Sequence, residues 1–239
     1  MKKTIINYFR RKQKTRSFLL EIILKLSALA RLHSVSILLD KYGNFRSYRN
    51  WQCVDKDGVP IPWFTYPAIE YLKQLDWREK SVFEYGSGNS SLFFAKRVKN
   101  LISVEDDLKW FEANKNKLSA NQTIIFADKA IDYIHAIEKS KNTFDLIIID
   151  GSHRPECTKL ALKYLNSNGC ILFDNSDWYP NTCAFLRTQD LIQIDFHGFG
   201  PINQYTWTTS LFLMRSFNST TLGNRQPMPS ISAIHHTFD

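Results

Sequence analysis

No two of the four cysteines, Cys53, Cys157, Cys170 and Cys183, stand in a Cys-x-x-Cys spacing, and wide gaps separate them. That argues against structural zinc and a disulfide framework, and it fits a reducing, cytoplasmic setting. Long uninterrupted apolar runs are missing too. The best candidate, "SFLLEIILKLSALARLHSVSILL" (17–39), is broken by Glu21, Lys25 and Arg31, and no small-residue cleavage site follows it cleanly. Neither a membrane span nor a secretory signal is expected from such a stretch. Glu21 and Lys25 instead have the i,i+4 spacing of a helical ion pair, with Leu19, Ile22, Ile23 and Leu26 on other faces. Two roles suit that helix: packing on the body, or lying on a membrane surface behind its basic leader. No internal repeat is found.

What the chain has in plenty is apolar and aromatic mass. Its 239 residues are 44% hydrophobic, with ten Tyr and seventeen Phe, enough for a large core and suited to one domain with extensions. The formal charge of +8 is unevenly placed. Residues 1–49 hold twelve Lys or Arg against Glu21 and Asp40, a net +10, so the remainder nets −2. The expected organisation is a basic N-terminal helical arm (1–50), an ordered loop and helix leading into the core (51–80), a main domain (81–215) and a polar, loosely ordered tail (216–239). In the second segment Asp57-Gly58 and prolines 60, 62 and 67 mark the loop, and "PAIEYLKQL" reads as a helix with Pro67 in its first turn.

From residue 81 the pattern alternates. Short apolar runs, "SVFEY" (81–85), "LISVE" (101–105), "TIIFAD" (123–128), "FDLIIID" (144–150) and "GCILFD" (169–174), read as strands covered on both faces. Between them "SSLFFAKRV", "DLKWFEANKNKL", "KAIDYIHAIEK" and "PECTKLALKYLN" read as helices. The expected class is α/β, a mostly parallel sheet with helices on both faces and right-handed crossovers. "LIQIDFHGF" (191–199) and "QYTWTTSLFLMR" (204–215) have no helix between them and predict a C-terminal antiparallel hairpin at one edge.

Five successive strands end in acids: Glu84, Glu105, Asp128, Asp150 and Asp174. One such acid reads as a cap or a solvated loop residue, but five at one sheet edge would repel each other unless a ligand or cation uses them. Ligands of open parallel sheets bind beyond the carboxyl ends of the strands. After the first strand, "EYGSGNSS" places Gly86, Ser87 and Gly88 where the backbone can approach a ligand, beside a helix start near Asn89. A nicotinamide dinucleotide fits this imperfectly, since position 91 is serine where that fingerprint has a third glycine. Glu105, nineteen residues past Gly86, could accept both hydroxyls of a ribose. Glu84 would repel a pyrophosphate and suits a cationic amino group, which S-adenosylmethionine has.

On these residues the chain resembles class I, Rossmann-like S-adenosylmethionine-dependent methyltransferases over about 81–215. "FEYGSGNSS" is similar to their acid-x-Gly-x-Gly motif, and the "SVE" acid, the "FAD" acid, the "FDLIIIDGSH" strand and the hairpin follow in the same order. The resemblance implies that Glu84 sits near the methionine ammonium with Gly86, Ser87 and Gly88 beside the cofactor. It also implies that Glu105 holds the ribose and Asp128 touches the adenine amine. "IDGSH" and "LFDNS" further resemble the cation-dependent O-methyltransferases, which implies a Mg²⁺ site of Asp150, Asp174 and Asn175. His153 lies where those enzymes carry a lysine base, with Arg154 as a rival or an anion anchor. A capped turn at 150–153 and a plain loop at 175–176 are the alternative reading.

The expected activity is methyl transfer from S-adenosylmethionine to an oxygen of a small molecule or sugar. A metal-independent enzyme with His153 or Asp150 as base is the rival, and a cofactor-binding protein that has lost turnover is another. No nucleic-acid partner is expected, since no Asn-Pro-Pro-Tyr-like tetrad follows "FDLIIID" and the body is near neutral. Trp51, Trp63, Phe64 and Tyr66 read as core or as a lid. His235 and His236 read as solvated. The sequence leaves the oligomeric state open.

Overall fold

The computed structural model describes residues 26–223 and 226–234. One seven-stranded sheet organises them, in the order β3-β2-β1-β4-β5-β7-β6. Its strands are β1 (Ser81–Tyr85), β2 (Asn100–Glu105), β3 (Gln122–Phe126), β4 (Phe144–Ile149), β5 (Leu165–Asp174), β6 (Ile192–Gly198) and β7 (Trp207–Leu213). The first five run parallel; β7 is antiparallel to both β5 and β6. This is a Rossmann-like sheet with a C-terminal antiparallel pair, as the alternation of short apolar runs and helices requires.

The central strands are apolar at successive positions because both of their faces are covered. Val82, Leu146, Ile148 and Leu172 face one core with Leu72, Phe93 and Phe94. Phe83, Tyr85, Ile147, Ile149 and Phe173 face the other with Tyr133, Ile137 and Leu186. Edge strand β6 alternates exposed and half-buried positions, whereas β7, inserted between it and β5, is buried throughout. So the two runs do form a hairpin, with its second strand inside the sheet.

Two local expectations need correcting. The "LN" end of the run "PECTKLALKYLN" is not helical: the helix Arg154–Ala161 and one 3₁₀ turn end at Tyr164, and Leu165 already pairs with Phe144 as the start of β5. The β4–β5 register shifts between Phe144 and Leu146, a bulge that no propensity marks. The tail is not loose where it is described. Leu222 N–H donates to the carbonyl of Gln74, and Met228 and Ile231 N–H donate to the side chains of Gln74 and Glu70, tying the tail to the helix Tyr66–Gln74.

The basic leader with its Glu21–Lys25 pair, and His235 and His236, lie outside the described residues. The helical stretch 26–36 is not packed on the body, for Leu26, Leu29, Leu32 and Val35 are all exposed. Among the described residues, no helix is long and apolar enough to cross a membrane.

Candidate active site

The carboxyl ends of β1, β2, β4, β5 and the start of β7 meet around a cavity of about 450 Å³. The turn after β1 can sit there because two glycines pack against each other. Gly86 has a φ of 104°, in the left-handed region, and its N–H donates to Val104 O at 2.9 Å. A Cβ on Gly151, just after β4, would lie 2.0 Å from Tyr133 Oη and 2.9 Å from Gly86 N. No other residue fits at 151, a requirement that "IDGSH" did not announce. Gly88 lies under Trp110, whose indole N–H donates to the Ser87 carbonyl.

Glu84 is 1% exposed and does not line the cavity. Its Oε1 accepts from Ser90 Oγ at 2.5 Å, and its Oε2 from Ser91 Oγ at 2.5 Å and Ser103 Oγ at 3.1 Å. Ser90 does line the cavity, so the acid reaches the ligand space through a hydroxyl. Burial pushes this carboxyl from its ordinary 4.5 up to about 7, against the lowering effect of the three serines. The folded protein therefore holds a proton that the unfolded chain releases above pH 4.5. This group's contribution to stability falls as pH rises from 4.5 to about 7. Glu84→Gln removes that loss. In ligand-free protein it is expected to gain about 2 to 3 kcal/mol over wild type at pH 8 and little at pH 4.5, read by urea melts at the two pH values.

Glu105 lies at the cavity with its carboxylate held in place. Oε2 accepts from Ser87 N at 3.1 Å and Ser87 Oγ at 2.8 Å, while Oε1 accepts from the N–H groups of Asp106 and Asp107, each at 3.1 Å. Burial raises its pKa and these bonds oppose the rise. Asp128 is not brought to the site. Strand β3 stops at Phe126, and Asp128 lies exposed beyond it, lining neither this cavity nor its neighbour.

Asp150, Asp174 and Asn175 do converge, and the group between them is Arg154. Its Nε donates to Gly151 O at 2.9 Å; Nη1 donates to Asn175 Oδ1 at 3.0 Å and to Asp174 O; Nη2 donates to Asp150 O at 2.8 Å and Asp150 Oδ1 at 3.4 Å. A guanidinium has five N–H donors, so all are spent on protein oxygens. Arg154 is therefore neither a base nor a free anion anchor. Asp174 Oδ1 instead accepts from Thr209 Oγ1 at 2.5 Å and Trp207 Nε1 at 3.1 Å. Burial pushes Asp150 up to about 7, with Arg154 opposing and Glu84 adding to the rise. It pushes Asp174 well up too, helped by Asp150. Among the described residues no cluster of three or more His, Cys, Asp or Glu could hold a metal ion.

His153 also departs from expectation. It caps the helix Arg154–Ala161 at φ 50°, is exposed, and meets Tyr133 edge-on at 6.1 Å instead of lining the cavity. Of the four aromatic residues read as core or lid, Phe64 and Tyr66 are core, while Trp51 and Trp63 line the cleft. Sequence reasoning missed the serine set around Glu84, Trp110 and the Arg154 network. The doubled serine of "GSGNSS" was the one legible signal among them.

Residues 83–176 match the family model described as a methyltransferase domain. Among solved structures the chain is similar to the precorrin-6y C5,15-methyltransferase of Geobacter metallireducens (13% identity, 62% of this chain and 86% of that one, TM-score 0.48). It is also similar to an rRNA methylase of Streptococcus thermophilus (14%, 62% and 97%, 0.47) and to SMU.1697c of Streptococcus mutans, solved in complex with SAH (12%, 60% and 94%, 0.45). No curated protein matches it.

Proposed function

We propose, from the premise that this chain is an S-adenosylmethionine-dependent methyltransferase with its domain at residues 83–176, that it methylates an oxygen of a small molecule or sugar without a metal ion. The observation that carries the metal-free reading is Arg154. A fixed positive charge already stands among Asp150, Asp174 and Asn175: Arg154 donates to Asn175 Oδ1 and reaches Asp150 Oδ1 at 3.4 Å, while Asp174 Oδ1 is taken by Thr209 and Trp207.

The residues present fit the cofactor. Gly86 and Gly151 pack too closely for a Cβ at 151 and both line the cavity, where Glu105 presents a fixed carboxylate suited to ribose hydroxyls. Ser90, whose hydroxyl donates to the buried Glu84, offers an oxygen on the side where a cationic amino group is welcome, and such a cation would favour the ionised form of Glu84. When bound, S-adenosylmethionine supplies a methyl group on a positively charged sulfur. Asp150 is the residue best placed to take the acceptor's proton, since it lines the cleft and its pKa of about 7 matches a base at neutral pH. Arg154 fixes residue 150 by donating to its backbone carbonyl at 2.8 Å and reaches the carboxylate itself at 3.4 Å.

The test is transfer of labelled methyl into small-molecule extracts with and without EDTA. Turnover is expected to survive EDTA and to gain nothing from added Mg²⁺. Loss in EDTA with recovery on Mg²⁺ would return Asp150, Asp174 and Asn175 to the role of metal ligands and displace Arg154 from its own.

A further inference from the structure

Beside the first cavity lies a second, of about 480 Å³, bounded by the 51–63 segment and the helices Asn89–Ala95 and Leu108–Lys115. The two share Trp63, Ser87, Ser90, Trp110 and Asp150, while Gly86, Gly151 and Glu105 line the first alone. Group transfer needs two ligands that meet, and here two hollows meet at the residue best placed as base.

The walls of the second cavity are unusual in what they expose. Five of the six tryptophans line one cavity or both. Three of them, Trp51, Trp63 and Trp110, border the second and stand 68%, 39% and 51% exposed. Side chains of this size are mostly buried unless a ligand uses them. Trp51 also occupies the left-handed region, φ 50° and ψ 42°, a costly backbone for a bulky residue. Gln52, Asn114 and Lys117 line the same cavity, and their side chains can meet hydroxyls.

We infer that this second cavity is the acceptor site and that the acceptor is a pyranose sugar or glycoside. A pyranose ring has an apolar face of C–H groups and a rim of hydroxyls, which matches a cavity lined by exposed indoles together with amide and ammonium groups. A flat phenol would leave the amide groups unanswered, and a chelating catechol would find Arg154 where its cation should be. At the shared boundary the new O–CH₃ bond forms as the S–CH₃ bond of the sulfonium breaks. The bonding pair returns to sulfur, and the hydroxyl proton passes to Asp150.

This rests on the cofactor reading of the first cavity, so the test measures both. Saturation-transfer NMR is run on full-length protein loaded with S-adenosylhomocysteine, against methyl glucoside, galactoside, mannoside and rhamnoside, with methyl 4-hydroxybenzoate as the phenolic probe. Ring C–H protons of at least one pyranoside are expected to saturate. Trp51→Ala should weaken that signal about three- to tenfold and Trp51→Tyr should retain it, while calorimetry shows unchanged S-adenosylhomocysteine affinity in both. Binding of the homocysteine product without any pyranoside signal, a response from the phenol alone, or a pyranoside signal indifferent to Trp51→Ala overturns the acceptor assignment. No binding of S-adenosylhomocysteine overturns the cofactor reading beneath it.

Discussion

Arg154→Met is expected to lose about 3 to 5 kcal/mol of stability and to abolish methyl transfer. Five oxygens lose their donor at once, and two buried carboxyl groups, Asp150 and Asp174, lose the positive charge between them. In a chain of this size that corresponds to a fall of about 6 to 20 °C in melting temperature. Arg154→Lys should recover only part of it, because an ammonium has three donors where the site uses five. The double change Arg154→Met with Asp150→Asn should melt higher than Arg154→Met alone, since it removes one of the unpaired charges. If Arg154→Met melts like wild type, the arginine is not what holds the β4 and β5 ends together.

Glu105→Ala is expected to weaken S-adenosylhomocysteine binding about 100- to 10,000-fold. A ribose loses two hydrogen bonds to an anion, each worth about 1.5 to 3 kcal/mol. Because Glu105 also receives the N–H groups of Ser87, Asp106 and Asp107, the measurement pairs calorimetry with a thermal melt. Glu105→Gln keeps an acceptor and should fall between wild type and alanine. Equal affinity in all three would move the ribose away from Glu105.

The strands, their parallel order and the convergence of four of the five strand-end acids could be read from the chain, because a doubly covered strand must be apolar at every step. Glu105, Asp150 and Asp174 line one cavity at the strand ends, with Glu84 buried behind Ser90. Asp128 does not, since a strand's last residue depends on where pairing stops, and β3 stops at Phe126. His153 was misread because a motif gives a residue's position but not its backbone: at φ 50° the side chain turns toward Tyr133 and solvent. Arg154 was equally visible in "GSHRP", yet its meaning lies in contacts to residues 174 and 175, twenty positions on. Local pattern could not show that a guanidinium fills the space between the two aspartates.

The most direct test of the central claim is calorimetric titration of the wild-type protein with S-adenosylhomocysteine and, side by side, with NAD. The first cavity, with a carboxylate at Glu105, a buried acid behind Ser90 and, among the described residues, Arg154 as the one cation in its lining, its donors already spent, predicts saturable one-to-one binding of S-adenosylhomocysteine and none of NAD. Tight binding of NAD with no heat from S-adenosylhomocysteine would contradict it.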